Sequence, residues 1–169
     1  MDREFLIRAV CLYWPLLAAG LVWGLVRPGY FARVGILVAV CWNMAVLPIG
    51  NLVAQEAGWW SFRDDGPALL GMPLELYFGW AAWWGMVLPL LGWKLAGSGP
   101  VLFLTVVTGA AAVVDVIAMP LLQPVLVLHD GWWIGEVTLL VVGLVPGAIA
   151  RWRTDRRICP RGRTMVQGM

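Results

Sequence analysis

Five long apolar stretches occupy most of this chain and decide what it can fold into. They cover residues 5–26, 34–54, 68–95, 100–122 and 133–150. Each is about as long as a bilayer-spanning helix, which needs about 20 mainly apolar residues. Hydrophobic residues make up 61% of the chain and charged residues 13%, whereas soluble domains have about 45–50% and about 25%. The sequence therefore predicts an all-α fold, a polytopic transmembrane bundle of about five helices, with residues 1–150 as its single domain.

The positions of the basic residues predict how the bundle is oriented. Five helices place the termini on opposite sides of the membrane, and only Arg3, Arg8 and Arg63 of the 12 basic residues then lie on the N-terminal side. Lys and Arg near helix ends favour the cytoplasmic side. We therefore expect a multi-pass integral membrane protein with the N-terminus outside. Residues 151–169 would form a basic cytoplasmic tail that contacts anionic lipid and not nucleic acid.

Two segments of the chain, Asn43–Trp60 and Asp115–Trp133, resemble each other. Each begins with a polar residue, has a proline five residues later and ends in Gly-Trp-Trp. The similarity predicts an internal repeat of helices 2–3 and 4–5, with Asn43 and Asp115 facing each other at the interface of the modules. Repeat-built membrane proteins often place their site there. Coincidence is the alternative, because tryptophan is abundant in this chain.

Four polar residues lie in one half of the predicted bundle: Asn43, Glu75, Asp115 and Glu136. Intramembrane acids cost about 2.5–3.5 kcal/mol each and usually face the bundle interior. An acid in a first helical turn, as expected for Glu136, is also explained by the helix dipole. Asn43 can equally be an interhelical hydrogen-bonding residue. Glu75 and Asp115 are harder to explain structurally, because no Lys or Arg is expected at their depth.

An acid without a cationic neighbour in an apolar site tends to keep its proton, so Glu75 and Asp115 are candidate Brønsted acids. Aromatic residues follow Glu75, and two tryptophan pairs lie at the same end of the bundle. Aromatic faces stabilise cations, and a dry site protects them from water. The candidate substrate-binding residues are Asn43, Trp59, Trp60, Phe78, Trp132 and Glu136. For the tryptophan pairs, an interfacial aromatic belt is the alternative explanation.

Other chemistries have little support in the sequence. There is no glycine-rich phosphate loop or dinucleotide fingerprint, and the single His129 is too little for a histidine-built metal site. Asp64 and Asp65 lack the second acidic cluster that a diphosphate–magnesium site would need. A solvated loop is the favoured interpretation for these two residues.

The segment GWWSFRDDGPALLGMPLELYF, residues 58–78, resembles the membrane lycopene cyclase domain family. That family has an aromatic pair, a short polar loop, a glycine and a Pro-Leu-Glu-Glu motif that enters a helix. The chain is also similar, over residues 34–150, to the integral-membrane terpene cyclases of meroterpenoid pathways. The resemblance implies proton-initiated, non-redox cyclisation without a metal or other cofactor. It places the motif glutamate at Glu75 and the second acid at Asp115.

One departure from the motif narrows the expected substrate. Leu76 stands where lycopene cyclases carry a second acid. We therefore expect a terpene cyclase that acts on a prenyl chain or its epoxide, which can be attached to an aromatic or indole acceptor. Glu75 would be the general acid, Asp115 would assist it, Asn43 would orient an acid, and Glu136 or a backbone carbonyl would take the final proton. The alternatives are a lycopene cyclase acting on a carotenoid end group, a non-enzymatic assembly subunit, and a small proton-coupled transporter.

Overall fold

The structure is a computed structural model that describes residues 3–63, 66–95, 100–123 and 125–158, with side chains described over 3–63, 66–92, 101–123 and 125–149. Its α-helices are α1 (Arg3–Val26), α2 (Tyr30–Glu56), α3 (Leu74–Ala82), α4 (Leu88–Leu95), α5 (Pro100–Ala118) and α6 (Trp132–Ile158). A π-helical segment, Trp83–Val87, joins α3 to α4, so that the three together form the third span. Five spans in the described part of the chain are long and apolar enough to cross a membrane. The predicted all-α transmembrane bundle of five helices is thus confirmed.

The third span begins later than the sequence predicts. Residues 68–73 form a hairpin of two short strands, β2 (Ala68–Leu69) and β3 (Met72–Pro73), and the helix starts only at Leu74. Both residues of the turn, Leu70 and Gly71, have positive φ, the geometry of a two-residue hairpin loop. Pro73 then precedes the helix, where its missing N–H costs no intrahelical hydrogen bond. Apolar composition alone does not distinguish such a hairpin from a turn of helix.

The π-helical segment lies where the third span crosses α2. Gly85 packs directly on α2, because a Cβ atom at this position would lie 2.6 Å from the Cα of Val40. Pro89 follows in α4 and cannot donate a hydrogen bond to the carbonyl of residue 85, which weakens the α-helical pattern here. A π-helical turn of this kind is often found at functional sites. Here it contains two tryptophans, Trp83 and Trp84.

The internal repeat is not confirmed, since the two similar segments fold differently. Pro48 lies within the uninterrupted helix α2, whereas Pro120 lies in a 3₁₀ turn, Met119–Leu122, beyond the end of α5. The first Trp-Trp pair leads into strand β1 (Trp60–Phe62), and the second begins helix α6. Strand β1 pairs in antiparallel register with β4 (Leu126–Leu128). We call the end of the bundle that carries this pair the sheet end.

The bundle has an apolar core and an apolar exterior. Helix α2 packs against α6, α1 against α3, and α5 against α6. Core residues that contribute from different spans include Ile36, Trp84, Phe103 and Leu140. Many large apolar side chains on the outer faces of the helices remain exposed, as a surface that contacts lipid requires. The predicted orientation of the termini stays a prediction, and residues 159–169 of the predicted tail lie outside the described residues.

Candidate functional site

A cleft of about 180 Å³ lies between α1, the third span, α5 and the start of α6. Its lining residues are Val10, Cys11, Trp14, Pro15, Trp80, Trp83, Trp84, Val114, Asp115, Ala118, Met119, Leu122 and Glu136. We call it the acid cleft, because two of these residues are carboxylic acids. Three lining residues, Val10, Trp14 and Val114, are 53%, 63% and 49% exposed. Since they lie on the lipid-facing surface of α1 and α5, the acid cleft opens sideways towards the bilayer.

Asp115 and Glu136 both line the acid cleft, and their carboxyl groups are near enough to interact. Glu136 is only 3% exposed. Neither of its oxygens, nor Oδ2 of Asp115, meets any other hydrogen-bond donor among the described residues. Two ionised carboxylates cannot hydrogen-bond each other, because neither has a proton to donate. The arrangement is satisfied when one proton is held between the two groups.

The dipole explanation expected for Glu136 does not hold. Helix α6 begins at Trp132 and has no acid in its first turn, so Glu136 lies in the second turn. The favourable effect of a helix dipole on an acid falls off within the first turn. The dipole therefore does not account for a buried carboxyl group at this position.

Glu75 occupies the position that was expected for Glu136. It lies in the first turn of α3, and not two turns into a longer helix. Its Oε2 atom lies 3.8 Å from Nη1 of Arg8 in α1, which is an ion-pair distance and longer than a hydrogen bond. The expectation that no basic residue lies at its depth is therefore wrong, and Glu75 does not line the acid cleft. Its role as the general acid stays a prediction.

Arg8 is a residue that the sequence reading missed. Its Nε and Nη2 atoms donate to Oε1 of Glu4 at 3.0 and 2.9 Å, and Nη2 lies 3.4 Å from the carbonyl of Arg63. With Glu75, these contacts hold α1 against the third span and the loop after β1. In the sequence, Arg8 served only to predict the orientation of the bundle in the membrane, although its spacing of four from Glu4 is typical of an intrahelical ion pair.

Tryptophans from two spans form the walls of the acid cleft. The rings of Trp80 and Trp84 are stacked, with centroids 5.8 Å apart and an angle of 8° between their planes. Trp83 belongs to the same segment, and Trp14 approaches from α1. The π-helical segment carries both Trp83 and Trp84. The cleft thus offers aromatic faces next to a carboxyl pair.

The four aromatic residues predicted to bind substrate lie elsewhere, and none of them lines the acid cleft. Trp59 and Trp60 pack over Gly135, where a Cβ atom would come within 2.7 Å of a ring carbon of Trp60. Phe78 is exposed, and Trp132 packs on the core at the beginning of α6. The two residues Trp59 and Trp60 therefore support the backbone next to Glu136. A direct contact of these four residues with substrate stays a prediction.

Two buried asparagines connect the elements around the cleft. Nδ2 of Asn43 donates to the carbonyls of Ala39, at 2.8 Å, and of Gly143 in α6, at 3.0 Å. These are the contacts of an interhelical hydrogen-bonding residue, and neither is to an acid. Asn51 was missed by the sequence reading: its Oδ1 accepts from Nε1 of Trp60 at 2.9 Å. Its spacing of eight from Asn43 places both on one face of α2, which the sequence could have indicated.

No group of three His, Cys, Asp or Glu side chains in the described part of the chain is close enough to hold a metal ion. Compared with protein-family models, with curated proteins and with solved structures, the chain gives no match. The resemblance to membrane lycopene cyclases and related terpene cyclases therefore rests on the motif of residues 58–78 and stays a prediction.

Proposed function

We propose that this protein is an integral-membrane terpene cyclase, which starts ring closure by protonating a prenyl chain or its epoxide. One observation supports this more than any other. The Asp115–Glu136 carboxyl pair is held in a tryptophan-walled cleft that opens to the bilayer. In this proposal the pair, and not Glu75, is the proton donor. Glu75 instead pairs with Arg8 and holds α1 in place.

The proposed reaction begins with transfer of the shared proton to a double-bond carbon or an epoxide oxygen of the substrate. On a double bond, the π electrons form the new C–H bond and leave a carbocation at the other carbon. On an epoxide, one C–O bond breaks after the oxygen is protonated, which leaves a hydroxyl group on one carbon and the cation on the other. The π electrons of a neighbouring double bond then attack the cation to form the ring. Loss of a proton from the carbon next to the final cation restores a double bond. The two carboxylates repel each other, so they are a suitable acceptor for this proton. The product is an isomer of the substrate, and no oxidant or reductant is consumed.

The tryptophan walls stabilise the carbocation that forms in the middle of the proposed reaction. The stacked pair Trp80 and Trp84, together with Trp14, presents aromatic faces. A cation over such a face is stabilised by about 0.5–1 kcal/mol at exposed sites and by about 2 kcal/mol or more where water is excluded. The remaining lining residues are largely apolar, and Cys11 and Met119 are the two that carry sulfur. Ring closure is then favoured over capture by water.

The position of the opening favours a substrate that is dissolved in the membrane. Val10, Trp14 and Val114 belong to the acid cleft and also to the lipid-facing surface. A lipophilic prenyl chain can reach the acids through this opening without crossing water. A charged metabolite would have to enter through an apolar surface, which costs several kcal/mol or more.

The test is an isomerisation assay with the full-length protein in proteoliposomes. Prenylated indoles and phenols with two to four isoprene units, and their terminal epoxides, would be offered, and products of unchanged mass would be separated by chromatography. D115N and E136Q should each lower the rate about 10²–10⁴-fold, the usual contribution of a general acid. E56Q, at an exposed acid of α2, is the matched control and should retain the rate. Wild-type turnover by D115N and E136Q, or no isomer from any substrate, would refute the proposal.

A further inference from the structure

A second cavity, of about 190 Å³, continues from the acid cleft along α5. Trp83 and Val114 line both cavities. We call this second cavity the chain groove and define it by Trp83, Leu91, Gly92, Val106, Ala110 and Val114, which are among its lining residues. None of its lining residues carries a charge, a hydroxyl or an amide. The groove leads away from the sheet end, towards the end of the bundle at which α5 begins.

The chain groove follows one face of α5. Its α5 residues, Val106, Val107, Ala110 and Val114, are related to one another by spacings of three and four, so they lie on one face of the helix. At 1.5 Å per residue, Ala110 lies about 7 Å and Val106 about 13 Å along the helix from Asp115. The groove also contacts the bilayer, since Val106 is 39% and Leu91 is 38% exposed. It is therefore a channel along the membrane-facing surface with its end at the acids.

The two cavities together have the size of a single ligand site. Each alone is below the range of about 300–1,000 Å³ that is typical of sites for drug-sized ligands, and the two together reach this range. The acid cleft has the only carboxyl groups of this combined site among the described residues, and the groove adds apolar surface alone. One end of an occupant would meet the acids, and the remainder would be a long apolar chain.

We infer that the chain groove binds the part of an isoprenoid chain that lies beyond the protonated end, and that it selects substrates by chain length. Only the placement of the protonated end at the acids rests on the proposed function. Binding of the chain in the groove does not require that the acids transfer a proton. The branched isoprene methyl groups fit beside Ala110, a small exposed residue between larger apolar ones. A polar headgroup does not fit, because the groove offers it no hydrogen-bonding partner.

Two substitutions at different distances from Asp115 test the inference. A110F would narrow the groove near the acids, and V106F would narrow it near its far end. A45F, at an exposed alanine of α2 that lines neither cavity, is the matched control. Binding of radiolabelled geranylgeraniol to the purified full-length protein would be measured by scintillation proximity, with unlabelled geraniol, farnesol and geranylgeraniol as competitors. These alcohols report binding without any catalytic step.

The expected result is a graded dependence on chain length. V106F should weaken geranylgeraniol binding tenfold or more and leave geraniol within twofold of the wild type. A110F should also weaken the binding of alcohols that are too short to be affected by V106F. A45F should change none of the affinities. If A110F does not fold, as judged by size-exclusion chromatography, A110L serves in its place. Affinities within twofold of the wild type for all chains in both groove variants would overturn the inference.

Two further outcomes separate this inference from the proposed cyclisation. If unbranched oleyl alcohol competes as well as geranylgeraniol and responds equally to A110F, the groove is a general lipid site and the inference is overturned. If the graded dependence is found but no substrate is isomerised, the groove is confirmed as an isoprenoid site and only the cyclase proposal fails. If isomers form and chain length has no effect on binding, the groove assignment alone is lost.

Discussion

The Asp115–Glu136 pair allows a prediction that depends on the sharing of one proton. If the two carboxyl groups form a single acid, removing either removes the whole donor. D115N and E136Q should then each lower kcat about 10²–10⁴-fold, and the double variant should lose no more than the larger single loss. With about 1.36 kcal/mol for each tenfold change, the loss is about 3–5 kcal/mol of barrier. Two independent acids would instead lose about twice that amount in the double variant.

The amide substitutions are chosen to preserve the fold. An amide at either position can donate a hydrogen bond to the remaining carboxylate, since Oδ2 of Asp115 and both oxygens of Glu136 meet no other donor among the described residues. The free energy of unfolding of each variant should therefore lie within about 1 kcal/mol of the wild-type value, because one ordinary hydrogen bond is exchanged for another. Thermal unfolding in detergent checks this before the rates are compared.

The assay is single-turnover isomer formation in proteoliposomes, with the D115N/E56Q double variant as the matched control. Glu56 is exposed at the end of α2, so this control should behave like D115N alone. The reasoning is refuted if the D115N/E136Q loss equals the product of the single losses. It is also refuted if both single variants retain activity while their stability falls, because the pair would then be a structural hydrogen bond and not the proton donor.

Three further substitutions test the support around the cleft. E75Q should keep the isomerisation rate within tenfold of the wild type, because Glu75 lies outside the acid cleft; a loss of 10² or more would return the general acid to this residue. G85A should destabilise the protein by about 1–3 kcal/mol through overpacking against the backbone of α2, and thermal unfolding should show little change for G109A, where no neighbouring atom lies within 4 Å. N51L should cost about 1–3 kcal/mol, because the buried indole N–H of Trp60 loses its acceptor; an unchanged melting temperature would contradict this role of Asn51.

The five spans could be predicted from the sequence because the apolar length that crosses a bilayer is fixed by its thickness. The start of each helix is less well determined, and this error changed the interpretation of two acids. The predicted third helix began at residue 68, which placed Glu75 two turns inside it. The hairpin of residues 68–73 moved the start to Leu74 and placed Glu75 in the first turn, near Arg8. For Glu136 the change was the opposite: α6 starts at Trp132, which places Glu136 in the second turn and not in the first.

The tryptophans of the cleft could not be assigned from the sequence for a different reason. A run of aromatics after Glu75 indicates an aromatic span, but helical spacing does not say which rings face an opening. The π-helical segment Trp83–Val87 adds to this, because a π-helical turn departs from the α-helical spacing on which such an assignment depends. The two Gly-Trp-Trp segments instead led to the prediction that tryptophans at the sheet end bind substrate. In the structure, Trp60 is buried there and supports the backbone.

The carboxyl pair itself was within reach of the sequence. Helices α5 and α6 are consecutive spans, joined by residues 123–131, so they cross the membrane in opposite directions, and they pack against each other. Residues at equal distances from the connection then lie at the same depth. Asp115 lies seven residues before the end of the 3₁₀ turn at Leu122, and Glu136 lies four residues after the start of α6 at Trp132, so their depths differ by about one helical turn. Comparing acids across this connection, and not across the similar Gly-Trp-Trp segments, would have paired Asp115 with Glu136 in place of Asn43.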